Sequence, residues 1–308
     1  MVPLLLRAKW FDGLQIHRQD IMKKIKLSLL VCLFSSAVWT KTNPSISNRP
    51  TSWNKIKHVV IILLENTSAD EAVKQPFLKS LINRGGYLSQ YYAITHPSQP
   101  NYLALAGGST FKITDDSNYN ISAKHIGNLF EAKGYSWKSY AEAYPEHCYL
   151  GASKDTYYRK HVPFLSFKNV QTKPNECAKI VQGKQFFIDL AANQLPTYSF
   201  YIPDINNDGH DKGAAFADRW LSNTFGATFD NQKVISDTLF IVTFDEDDGR
   251  SKNNVYTIFL GAGVKKNTKS AVNYNHYSLL KTIEVIFELG TLGMNDQSAT
   301  VISDIWLP

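Results

Sequence analysis

The stretch His58-Val59-Val60-Ile61-Ile62-Leu63-Leu64 runs directly into Glu65-Asn66. An unbroken β-branched and leucine run of this length, with no polar alternation, reads as a strand covered on both faces, the habit of a parallel sheet. A second such run, 239–244, ends in Asp245-Glu246-Asp247-Asp248. Around these two runs the chain alternates between extended and helical patterns. Residues 76–84 carry Phe77, Leu78, Leu81 and Ile82 at helical spacing and stop at Gly85-Gly86, and 87–94 reads as extended. Helical patterns follow at 126–133, 178–193, 216–225 and 277–289, with extended segments at 136–140, 197–202 and 255–261. Alternation of this kind predicts an α/β sandwich built on a largely parallel sheet, with no internal repeat. Polar residues gather where strands end, at Glu65-Asn66, 204–211 and 245–248, and in open α/β sheets that edge is where ligands bind.

The N-terminal region has a separate logic. Lys23, Lys24 and Lys26 precede an apolar run over 27–39 that includes the small residues Ser35, Ser36 and Ala37, so residues 22–41 read as a signal peptide. An uncleaved anchor is the alternative, although the run is short for a membrane span. Met22 stands where such a peptide begins, so residues 1–21 read as an untranslated or disordered extension. Residues 42–56 form a polar linker and 57–308 a single domain, secreted or periplasmic and without a stable membrane span in the mature chain.

The formal charge of +6 is concentrated in the leader, because beyond residue 41 there are 26 Lys/Arg against 25 Asp/Glu. A nearly neutral domain whose basic runs are only the pairs Arg159-Lys160 and Lys265-Lys266 is a poor match for nucleic acid. Cys32 would leave with the leader. The remaining pair, Cys148 and Cys177, reads in an exported domain as a disulfide stabilising the fold by about 3 to 4 kcal/mol.

Chemistry centres on Ser98. It lies two residues before Pro100, the residue suited to a first helical turn, and a helix N-terminus offers free N–H groups and positive potential to an anionic substrate. An isolated Ser-x-Pro would be only an N-cap. Here Ser98-Gln99-Pro100-Asn101-Tyr102, followed by Gly107, resembles the nucleophile segment of the alkaline phosphatase superfamily. The set of blocks Glu65-Asn66, 95–104, Tyr158-Arg159-Lys160-His161-x-Pro163, Asp208-Gly209-His210-Asp211, Asp245-Glu246 and Asn275-His276-Tyr277-Ser278 resembles, in order, the secreted phosphoesterase family of bacterial acid phosphatases and phospholipases C. The resemblance implies a three-layer alkaline-phosphatase-like sandwich with helices on both faces, and metal-dependent phosphoryl transfer through a phosphoserine at Ser98.

The residue types agree with that chemistry. Glu65, Asn66, Asp245 and Glu246 offer oxygen donors, which suit a hard divalent cation such as Mg, Ca or Mn, with Zn as a further option. The four acids 245–248 would repel one another behind a buried strand unless a cation joined them. His161 and His210 are candidate catalytic residues for holding phosphate or protonating the leaving oxygen. Asp208, Asp211 and His276 are candidates for phosphate or a second metal, with Asp204 secondary and Glu142 a supporting residue. His96 is left out because Pro97 turns the chain between it and Ser98. Asp204-x-Asn206-x-Asp208-Gly209 also matches the first half of a calcium-binding EF-hand loop, but the twelfth position is Ala215 where a bidentate carboxylate belongs. The leading expectation is a phosphomonoesterase of the acid phosphatase kind acting on a small phosphorylated substrate or a phospholipid headgroup. The alternatives are a phosphodiesterase or phospholipase C on the same scaffold, and a non-catalytic calcium-dependent binding protein.

Overall fold

The computed structural model describes residues 49–308, so the expectations for the extension, the signal peptide, the first half of the linker and Cys32 fall outside the described residues. The central sheet has eight strands: β1 His58–Leu64, β2 Gly86–Leu88, β3 Trp137–Ala141, β4 Ile180–Gln182, β5 Tyr198–Ile202, β6 Thr238–Phe244, β7 Thr257–Gly261 and β8 Thr268–Ser270. Their spatial order is β8-β2-β7-β6-β1-β5-β3-β4. From β6 to β4 every neighbour is parallel, and β7 alone runs the other way. The apolar runs 58–64 and 239–244 are therefore the middle of the sheet, where β6 is buried along its whole length and β1 from Val59 onward.

The longer helices are α1 Pro76–Ile82, α2 Ser98–Gly107, α3 Ile126–Ala132, α4 Gln185–Ala191, α5 Ala214–Asp230 and α6 His276–Ile286. They form two groups that cover the two faces of the sheet. In one, α1 lies on α5, and Phe186 of α4 meets Phe225 of α5 at 5.5 Å between ring centres. In the other, α2 packs on α6, and Phe130 of α3 meets Phe287 at the end of α6 at 5.2 Å. All ten residues of α2 are buried, which makes it a core helix rather than an amphipathic surface one.

One expectation changes here. Residues 178–193 do not form one helix: Ile180–Gln182 extends along Ser139–Ala141 as the edge strand β4, and only Gln185–Ala191 is helical. Gly183 separates the two, and the β-branched pair Ile180-Val181 favours the strand. Elsewhere α5 is longer than 216–225, and the disulfide expected between Cys148 and Cys177 is formed, with Cα atoms 5.6 Å apart.

Candidate active site

The pairing register decides what meets at the sheet edge. Leu64 of β1 lies opposite Phe244 of β6, so the residues that follow, Glu65 and Asp245, emerge side by side. Asp245 donates its backbone N–H to the carbonyl of Leu64 (3.0 Å), and Glu65 donates its own to the carbonyl of Asp208 (2.9 Å), which joins the loop after β5 to the same corner. Three apolar strands thus deliver three carboxylates that are fully buried.

Ser98 is the first residue of α2 and is 1% exposed. Its hydroxyl donates to Glu246 Oε1 at 3.1 Å, and Asn66 Nδ2 donates to the same oxygen at 3.3 Å. Asn66 has the left-handed φ of 49° that asparagine tolerates well, and its backbone N–H points at Asp245 Oδ1 (3.4 Å). Tyr102, one turn into α2, donates its hydroxyl to Glu65 Oε1 at 2.5 Å and stacks on His161 with ring centres 5.2 Å apart. His161 Nε2 lies 2.7 Å from the same Glu65 oxygen, and its Nδ1 lies 3.7 Å from Asp208 Oδ2. Ligand atoms of Glu65, His161 and Asp208 all fall within 4.8 Å of one another, an arrangement that can hold a metal ion.

The electrostatics fit a cation. Burial and then the neighbouring Glu65 push the Asp208 and Asp245 carboxyls well above their ordinary range. Glu246 is raised to about 7 by burial, against the pull of His96 and Ser98. Burial works in the same direction on Glu65, but there His161, Lys160 and Tyr102 more than offset it, and its pKa is lowered. Glu65 Oε2, Asn66 Oδ1, Asp245 Oδ2, Glu246 Oε2, Asp208 Oδ2 and His161 Nε2 are all buried with no hydrogen-bond partner. The 2.7 Å approach of His161 Nε2 to Glu65 is thus too poorly aligned to count as a hydrogen bond. Such atoms cost on the order of 1–3 kcal/mol each when left bare; His96 and Glu65 stand beside two of the six, and a bound cation would offset the cost of others.

Other expected residues stand elsewhere. His210 and Asp211 are not drawn into the buried corner; they are exposed and pair with each other at 2.8 Å. The loop between Asp208 and α5 carries them outward, while the Asp208 side chain turns back to accept the N–H of His210. His276 is buried with both ring nitrogens engaged, Nε2 with the carbonyl of Asp245 (2.6 Å) and Nδ1 with the hydroxyl of Tyr91 (3.0 Å). Burial lowers its pKa to about 4, so it is a neutral ring that props the Asp245 backbone, with no nitrogen left for metal or phosphate. Asp204 accepts the N–H groups of Asn206 and Asn207, and Glu142 accepts that of Asp204 and the Asn207 amide, so both shape the loop that presents Asp208.

The idea that one cation gathers all of 245–248 is also corrected. Asp247 accepts the backbone N–H groups of Gly249, Ser251 and Asn253, and Asp248 pairs with Arg250, so only Asp245 and Glu246 face the site. His96, left out of the sequence reading, places Nδ1 2.7 Å from Glu246 Oε2. Two further residues went unassigned. Lys160 donates to Asp116 Oδ2 at 2.9 Å, and Asp116 Oδ1 accepts the N–H of Gln99 at 3.0 Å. Asn101 clamps the chain ahead of Ser98, accepting from the N–H groups of Ile94 and Thr95 and donating to the carbonyls of Thr95 and Pro97.

A model described as the phosphoesterase family matches residues 71–290. A probable acid phosphatase of Kluyveromyces lactis is 36% identical over 80% of this chain, which spans 62% of that protein. A phosphatidylinositol-3-phosphatase of Mycobacterium tuberculosis is 35% identical over 88% of this chain and 89% of its own. Among solved structures, a protein in the alkaline phosphatase superfamily from Vibrio parahaemolyticus shares the fold at a TM-score of 0.57, with 16% identity over 83% of this chain and 73% of that one. Among the described residues no helix is long and apolar enough to cross a membrane.

Proposed function

Because the chain belongs to the phosphoesterase family, we propose that it is an exported, metal-dependent phosphomonoesterase in which Ser98 takes up the phosphoryl group. The observation that carries this reading is the hydrogen bond from Ser98 to Glu246, beside the buried group of Glu65, His161 and Asp208 that can hold a metal ion. Glu65, Asn66, Asp245 and Glu246 would hold a hard divalent ion, with Asp208 and His161 adjoining. Such an ion, when bound, lowers the pKa of a nearby hydroxyl and neutralises charge on phosphoryl oxygens.

The protein's own residues do the rest. Glu246 Oε1, which accepts the hydrogen bond of the Ser98 hydroxyl, would receive its proton. Ser98 stands at the N-terminus of α2, whose helix dipole favours the negative charge of a phosphoryl group. His161, held between Tyr102 and Tyr158, would protonate the departing oxygen. Asn101 and His276 keep Ser98 and Asp245 in position from outside. The relatives' names, an acid phosphatase and a phosphatidylinositol-3-phosphatase, support a monoester on a small molecule or on a lipid headgroup. Export, and a single catalytic domain over 57–308, are supported by the basic-apolar leader and by the disulfide of the domain.

The test is hydrolysis of p-nitrophenyl phosphate and bis(p-nitrophenyl) phosphate by purified protein, untreated and chelated, alongside Ser98→Ala. Monoester turnover that is lost on chelation, restored by Mg, Mn or Ca, and absent in Ser98→Ala is expected. Diester preference, or unchanged turnover in Ser98→Ala, would overturn the assignment.

A further inference from the structure

Arg159, Lys160 and His161 are consecutive in a single 3-10 turn, yet their side chains serve three different places. Arg159 is buried and donates to the carbonyls of Leu150, Tyr119 and Leu165, which pins the turn to the surrounding loops. His161 goes to Glu65. Lys160 lies between these two anchored neighbours, and its side chain is only 15% exposed. The ammonium meets Asp116 Oδ2 at 2.9 Å, while Asp116 Oδ1 accepts the N–H of Gln99, the residue after Ser98, at 3.0 Å. One carboxylate therefore ties the lysine to the first turn of the nucleophile helix. An ammonium has three N–H donors, and Asp116 takes one.

A phosphomonoester and a phosphodiester differ by a single feature at the phosphorus. The monoester has an additional anionic oxygen where the diester carries a second alkyl or aryl group. Carboxylates crowd this corner, and a dianion entering beside Glu65, Asp208, Asp245 and Glu246 needs positive charge beyond one divalent ion. Resting on the reading of this site as a phosphoryl-transfer centre, we propose that Lys160, held by Asp116, contacts the second anionic oxygen of a phosphomonoester and so selects monoesters over diesters. Asp116 is a positioning residue that acts through Lys160.

The experiment compares kcat/KM for p-nitrophenyl phosphate and bis(p-nitrophenyl) phosphate in the metal-loaded full chain with Lys160→Met, Lys160→Arg and Asp116→Asn. Loss of a preorganised charged donor predicts that Lys160→Met lowers monoester kcat/KM by about 10²-fold or more while diester kcat/KM falls by less than about tenfold. Lys160→Arg should recover most of the monoester-to-diester ratio, and Asp116→Asn should lower it in the same direction by a smaller factor. Calorimetric titration with inorganic phosphate adds a readout independent of turnover. In a Ser98→Ala background, adding Lys160→Met should weaken phosphate binding by about ten- to a hundredfold, the worth of one charge-assisted hydrogen bond. If diester turnover is too slow to measure, or Lys160→Met does not fold, phosphate binding to Ser98→Ala/Lys160→Arg and Ser98→Ala/Asp116→Asn decides. An equal loss on both substrates, or unchanged phosphate affinity, refutes the role of Lys160. Full activity in Ser98→Ala would instead refute the phosphoserine reading itself, so the two failures are distinguishable.

Discussion

Replacing Asn101 tests whether Ser98 is held by the loop that precedes it. The Asn101 side chain is completely buried and leans back over the start of α2, where it makes four hydrogen bonds with residues 94–97. Asn101→Ala would leave the N–H groups of Ile94 and Thr95 and the carbonyls of Thr95 and Pro97 without these partners. At a net worth near 1 kcal/mol each, the four bonds sum to about 4 kcal/mol, a large share of the roughly 5 to 15 kcal/mol that stabilises a typical domain. In a domain of this size that loss corresponds to a Tm lower by roughly 8 °C. Because the loop leads straight into Ser98, the misplaced hydroxyl should also lower kcat by about 10²-fold. Urea unfolding gives the stability term, and turnover of p-nitrophenyl phosphate at a temperature where the variant is folded gives the second. A stability loss below about 1 kcal/mol together with an unchanged kcat would refute the reasoning, since four bonds averaging about 1 kcal/mol cannot vanish without trace.

The Cys148–Cys177 bond closes a loop of 29 residues, so the double replacement Cys148→Ser/Cys177→Ser should cost about 3 to 4 kcal/mol in urea unfolding; a loss near zero would show that the loop stays ordered without it. Glu284, on α6, is buried with neither carboxyl oxygen hydrogen-bonded, and burial together with Asp296 raises its pKa to about 9 against the pull of Lys281 at 3.7 Å. The folded protein thus keeps a proton that the unfolded chain releases near pH 4.5, so stability should fall as pH rises through that window and level off above about 9. Glu284→Gln removes the titration, and its loss of stability between about pH 5 and about pH 8 should be smaller than that of the unaltered protein by up to a few kcal/mol; an identical slope in both would contradict the account.

Much of the fold could be read because the strands that matter are the apolar ones. The runs at 58–64 and 239–244 are uninterrupted, and a strand buried on both faces can only lie inside a covered sheet. Their terminal acids then mark the site, since Glu65, Asp208 and Asp245 each follow one of the three central strands β1, β5 and β6. What stayed hidden was the direction in which neighbouring side chains point. Asp245 and Asp247 look alike in sequence, yet Asp247 is spent on three backbone N–H groups of its own turn. His161, His210 and His276 carried the same promise, but one faces Glu65, one faces solvent and one is held between a carbonyl and Tyr91. A histidine's role depends on which of its nitrogens is left free, a property of tertiary contacts. Nothing in the sequence singles out the roles of Asn101 and Lys160, because their partners Ile94, Thr95 and Asp116 become neighbours only once α2 has formed. The edge strand β4 was missed because its three residues are too few to outweigh the helical spacing that follows them.

The nucleophile can be caught in the act. Metal-loaded protein turning over p-nitrophenyl phosphate is quenched in acid within the first turnovers, digested, and read by peptide mass spectrometry. The account predicts one phosphoryl group on the peptide that contains Ser98, absent from Ser98→Ala treated identically. A phosphoryl group on another hydroxyl, or turnover with no covalent species while Ser98→Ala remains active, would contradict it.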